Sequence, residues 1–129
     1  MDEQRPSHIR TAADAALLLA PVFEGAEGEL IAVLHLDAEG RVLGLGRFPG
    51  EGDEAELPLR AIVAEALALG AEALVVGDNH PSGDPTPSPA DYEATRALAE
   101  TARRLGIRVR DHLVFAGGEM RSFRELGLI

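Results

Sequence analysis

The apolar positions of this chain change period several times, and each change marks the edge of an element. Residues 11–20 open with Thr11, carry Asp14 in the first turn and continue in Ala and Leu, so they predict a helix that stops before Pro21. An acidic, Gly-containing connection follows over 24–28. Residues 29–37 are mostly apolar and branched, which predicts a strand buried on both faces, and a turn at 38–40 returns the chain through 42–48 as its hairpin partner. His35, inside the first strand, reads as a core histidine and not as a ligand. A Gly-rich acidic loop over 49–57 is expected to hold a short strand at 54–57.

Pro58 begins a second helix, with Leu59, Ile62, Val63, Ala66 and Leu69 apolar at helical spacing and Gly70 as its stop. The apolar run 71–76 then reads as a strand. Further on, 89–105 predicts a third helix, with Leu98, Ala102 and Leu105 on one side and Gly106 ending it. Ile107 and Val109 alternate with Arg108 and Arg110 in a strand over 107–115. Asp111 and His112 interrupt that alternation and read as local structure. A turn at Gly117-Gly118, a last strand over 120–123 and a tail over 124–129 complete the chain. Strands joined by both hairpins and helical crossovers predict a three-layer α/β (α+β) domain, with a mixed central sheet and flanking helices.

Turn-forming and metal-ligating residues crowd into 77–91, GDNHPSGDPTPSPAD. Asp78 and His80 are two apart, so an extended backbone points both to one face and Asn79 to the other. Ser88, Pro89 and Asp91 read as a helix start, with Ser88 as N-cap and Asp91 reaching back as in a capping box. Capping alone accounts for Ser88 and Asp91. A Pro/Gly loop that folds Asp91 back onto His80 instead gathers three ligands for a hydrolytic metal.

The segment from His80 through Ser88 to Asp91 resembles the second half of the JAMM motif, His-x-His, seven residues, Ser, two residues, Asp, in the form found in RadC-like proteins of the MPN superfamily. Leu105-Gly-Ile107, Asp111-His112 and the run from Ser122 to Gly127 resemble the tail of the same family. Where the family reads His-Asn-His, this chain reads Asp78-Asn79-His80. The resemblance implies the MPN fold, an architecture shared with cytidine deaminases. It also implies zinc held by His80 and Asp91 with Asp78 in the first ligand's place, a water in the fourth position, Glu29 as the base and Ser88 as the oxyanion donor. The implied reaction is hydrolysis of an amide or isopeptide bond in a peptide or protein conjugate. A second carboxylate cancels more of the metal's charge, so Mn²⁺ or another hard divalent ion competes with Zn²⁺ at such a site, and absence of metal stays open. The alternative is a non-catalytic MPN domain used for protein association.

Composition narrows the rest. A chain of 129 residues with 46% hydrophobic content suits one domain, expected over 11–129 after a loose, flexible amino terminus over 1–10, in which His8 is an exposed bystander. That length has no space for the amino-terminal helical region that RadC-like proteins carry, so the resemblance is expected to cover the MPN domain alone. A net charge of −10, from 12 basic and 22 acidic residues, argues against nucleic acid as a partner. Arg103, Arg104, Arg108 and Arg110, the nearest thing to a basic cluster, read as a solvated face. The lack of cysteine excludes disulfides, thiolate catalysis and cysteine-held zinc. Neither a signal-type apolar segment nor a membrane-length run is present, so a cytoplasmic protein without a membrane partner is expected; a homodimer stays among the possible states. Asp78, His80 and Asp84 lack the spacing of a calcium loop, and Ser82 lacks the context of a nucleophile elbow.

Overall fold

The computed structural model describes residues 6–50 and 57–129. The elements run α1 (Ala12–Phe23), β1 (Leu30–Leu36), β2 (Val42–Pro49), α2 (Leu59–Leu69), β3 (Ala73–Asn79), α3 (Pro89–Arg104), β4 (Arg108–Ala116) and β5 (Glu119–Ser122). The strands form one mixed sheet in the order β2-β1-β3-β4-β5, parallel between β3 and β4 and antiparallel elsewhere. The hairpin of β1 and β2 forms as its alternation predicts, and β1 is buried from Ile31 to Leu36. The expected strand at 54–57 falls mostly outside the described residues; Leu57 itself is buried but lies in no strand.

Two apolar layers sandwich the sheet. On one face Ile31, Val33, Leu74 and Val76 meet Ile62 and Ala66 of α2 and Leu98 and Ala102 of α3. On the other face Ala32, Leu34, Val75 and Leu113 meet Ala15 and Leu19 of α1. Period-2 strands between period-3.6 helices thus give the three-layer α/β fold that the pattern predicts. No helix among the described residues is long and apolar enough to cross a membrane.

Several expectations need correction. α1 does not stop before Pro21 but runs to Phe23. Pro21 lies in the last turn, where its missing N–H forfeits a single helical bond, and Phe23 is anchored on Phe115 with ring centroids 5.1 Å apart. β3 extends through Asn79, so Asp78 is a strand residue paired with Ile31 on one side and Val114 on the other. The described part of the amino terminus is docked and not loose: Ile9 N–H donates to Gly40 O at 2.8 Å, Val42 N–H donates to Ser7 O at 3.1 Å, and Ile9 is buried. His8, expected as an exposed bystander, bridges to Arg41. Among the four arginines, Arg103, Arg104 and Arg108 are exposed as expected, whereas Arg110 is half-buried and donates to Ile9 O at 2.8 Å.

Asp111 and His112 do not interrupt β4. A bulge there sets Leu74 opposite Val109 but Val75 opposite Asp111, leaving Arg110 as the extra residue. The extra residue inverts the alternation: Asp111 turns to the α1 face, and His112 turns to the α3 face beside Thr95.

Candidate metal centre

The site lies where β3 ends and α3 begins. Ser88 caps α3 as its sequence predicts, accepting from Asp91 N–H at 3.0 Å, while Asp91 Oδ2 accepts from Ser88 N–H at 2.7 Å. The cap therefore orients Asp91 without using its second oxygen. Strand pairing orients Asp78, whose side chain is 2% exposed on the α3 face. His80 follows one pleat later, its Nε2 3.0 Å from Asp91 Oδ2 and 3.5 Å from Asp78 Oδ2. One ligating atom from each of Asp78, His80 and Asp91 lies within 4.8 Å of the others. The loop after β3 thus brings the three residues together.

The tautomer of His80 suits ligation. Asp84 O, a carbonyl that can only accept, lies 2.9 Å from Nδ1. Nδ1–H donates there, which turns Nε2 toward the two carboxylates as the atom that would ligate a metal once its proton is displaced. Burial disfavours the charge on His80, but the Asp84 carbonyl and the carboxylates of Asp78 and Asp91 outweigh it and hold the pKa above the ordinary histidine value.

Three buried carboxylate oxygens around this point have no hydrogen-bond partner: Asp78 Oδ2, Asp91 Oδ1 and Glu29 Oε1. Each such atom costs about 1–3 kcal/mol if left unmet. A cation held by Asp78 and Asp91 meets the demand of their two oxygens, and the donor set, two carboxylates and an imidazole, fits a divalent metal. Asp78, His80 and Asp91 thus form a group able to hold one.

Glu29 stands immediately before β1. Burial first, and then the nearby charges of Asp78 and Asp91, push its pKa above the ordinary carboxylate value. Its placement has two sources that spacing does not reveal. The Asn79 side chain accepts from Leu30 N–H at 2.7 Å and donates to Gly28 O at 3.0 Å, bracketing Glu29 from both sides. Gly50 donates its N–H to Glu29 O at 2.9 Å, and a Cβ there would press on Glu29 Cβ, Cγ and O. Asn79, on the opposite face from its neighbours as alternation predicts, thereby becomes part of the site's support.

The residue that the sequence reading set aside is His112. Its Nε2 lies 2.8 Å from Asp78 Oδ1, it is 1% exposed, and Phe123 stacks on it with centroids 4.5 Å apart and planes 12° apart. Beyond His80, a cleft of about 530 Å³ opens between α1 and the turn joining β4 to β5, with Phe23, Phe115 and Met120 in its wall.

The chain is 37% identical over 121 residues, 93% of its length, to a protein named UPF0758 from Roseiflexus castenholzii, of which it covers 52%. It is likewise 37% identical over 121 residues to one of the same name from Chloroflexus aurantiacus, of which it covers 53%. The chain thus spans about half the length of these curated relatives. The model of the RadC-like JAB domain matches residues 9–128, nearly the whole chain and all of the site, and the chain belongs to the RadC-like JAB domain family.

Proposed function

We propose that this domain is a JAMM-type metal-dependent hydrolase cleaving amide or isopeptide bonds. The observation that carries the reading is the convergence of one ligating atom each from Asp78, His80 and Asp91 within 4.8 Å, with a buried oxygen of both aspartates and of Glu29 left without a hydrogen-bond partner. Zinc is the proposed ion, with Mn²⁺ as the harder alternative that two carboxylates favour over a two-histidine set. When bound, the metal supplies Lewis acidity toward a water and toward the scissile carbonyl.

The chain's own residues supply the rest. Asp78, His80 and Asp91 hold the ion, Asp91 having been oriented by the α3 cap. Glu29, its proton affinity raised by burial and by its two acidic neighbours, takes the proton of the attacking water and passes it to the leaving nitrogen. Ser88 Oγ accepts from Asp91 N–H, so its own hydroxyl hydrogen is free to donate to the oxyanion. The apolar cleft beside His80 suits an uncharged side chain of a peptide or protein conjugate. The acidic net charge directs the reading away from nucleic acid, and a cytoplasmic location and a homodimer belong to the same proposal.

The test is elemental analysis of untagged protein purified without chelator, followed by hydrolysis of isopeptide-linked probes by the metal-loaded protein and by Glu29→Gln. Bound metal with Glu29-dependent hydrolysis supports the enzyme. A protein that takes up no metal and cleaves nothing transfers the fold to the alternative, a scaffold for protein association.

A further inference from the structure

Beneath the proposed ligands runs a buried hydrogen-bond chain that joins two of them. Thr95 Oγ1 lies 2.8 Å from the backbone carbonyl of Asp91, and His112 Nδ1 is the hydroxyl's other partner. His112 Nε2 in turn lies 2.8 Å from Asp78 Oδ1. Thr95 is 0% exposed, and His112, Asp78 and Asp91 are each 1% exposed, so no solvent completes or competes with these contacts.

Each contact has a donor at hand. Thr95 Oγ1 lies between the Asp91 carbonyl and His112 Nδ1 and holds that side of the ring. Asp78 Oδ1 is a carboxylate oxygen, so the hydrogen of its contact is the one on His112 Nε2. The flat stacking of Phe123 fixes the ring in the plane that both contacts require.

We propose that Thr95 and His112 are positioning residues that lock the Asp78 carboxylate with Oδ1 occupied and Oδ2 free. This deepens the metal reading above and rests on it. It makes Asp78 a one-oxygen donor of fixed direction, where a free carboxylate would chelate through both oxygens.

The test pairs two measurements. Zinc affinity by chelator competition is compared for the wild type, Thr95→Val, Thr95→Ser and His112→Gln. Thr95→Val keeps the volume and removes the hydroxyl, whereas Thr95→Ser removes a methyl and keeps the hydroxyl. The proposal expects a loss of about tenfold to a hundredfold for Thr95→Val and His112→Gln, with Thr95→Ser close to wild type. The reverse order, Ser worse than Val, is the signature of packing alone and would overturn it. The second measurement needs no metal: the ¹⁵N shift of His112 Nε2 in the apo protein. A protonated Nε2 is expected, and an unprotonated Nε2 would overturn the lock on Asp78 Oδ1. A wild type that binds no zinc removes the proposed function, while the ring shift still decides whether His112 holds Asp78.

Discussion

Two histidine–carboxylate clusters lie on the same helix-covered face of the sheet, and they are built to opposite ends. Near the end of β1, His35 Nε2 meets Glu65 Oε1 of α2 at 2.6 Å, with His35 fully buried and Glu65 36% exposed. There one histidine faces one carboxylate, and the carboxylate reaches solvent. At the end of β3, two histidines and two carboxylates share a pocket, both carboxylates are at most 2% exposed, and each keeps an oxygen without a partner. The difference is one of geometry and not of residue type. The structural pair leaves the ring nitrogen His35 Nδ1 without a partner but joins its charged atoms to each other, whereas the ligand set leaves a buried carboxylate oxygen unmatched on each of Asp78, Asp91 and Glu29.

The largest effect that separates the two clusters is expected from Asp91→Asn. The amide oxygen preserves the cap of α3, but one anionic ligand is lost. Zinc affinity should fall by at least about a hundredfold, beyond the loss expected from supporting residues. Thermal stability without metal should hold or rise, because the buried oxygen that lacks a partner gives way to an amide N–H able to donate. A fall in both would mean that Asp91 is structural, as Glu65 is.

Asn79→Ala should act next most strongly, and only on turnover. It frees the backbone on either side of Glu29 without touching a ligand, so hydrolysis should drop about tenfold to a hundredfold while zinc affinity stays near wild type. Equal losses in turnover and affinity would show that the bracket supports the whole site and not Glu29.

Gly46→Ala attacks the other cluster. A Cβ at Gly46 would overlap the Glu65 carboxylate, pushing it away from His35. Denaturant unfolding should report a loss of about 1–2 kcal/mol with unchanged zinc affinity. Lost zinc affinity in this variant would show that the two clusters are coupled through β1.

The smallest effect is a pH slope. Glu29 and His80 both have folded pKa values above their ordinary 4.5 and 6.5. Each therefore favours folding while protonated, and that contribution is complete below the ordinary value and lost as pH rises through the raised one. Stability of the apo protein should fall as pH climbs from below 4.5 to above 6.5 across these two titrations. Saturating zinc, which binds the deprotonated ligands, should reverse the slope. An apo slope of the opposite sign would place both groups in a different environment.

The contrast between the clusters also explains what the sequence could reveal. His80, Ser88 and Asp91 were legible because a loop and a helix cap are local, and their spacing fixes where they fold. Asp78 was legible by strand parity, and the core by its two periods. His112 was hidden because the bulge at Arg110 shifts the parity of β4 by one, and that shift arises from pairing with β3, more than thirty residues away. Asn79 and Gly50 were hidden for a related reason: their effect on Glu29 exists only once β1 and β3 are side by side. Pro21 ended the helix on paper because its N–H is missing, and the anchoring of Phe23 on Phe115 is a contact across the fold.

The central claim is that Asp78, His80 and Asp91 hold one divalent ion. An anomalous difference map from crystals grown with zinc, collected above and below the zinc edge, tests it most directly. The account predicts a peak bounded by Asp78 Oδ2, His80 Nε2 and Asp91 Oδ1, with Asp78 Oδ1 still on His112. Zinc seated elsewhere, or a pocket closed by direct contact between His80 and the two carboxylates at saturating zinc, would contradict it.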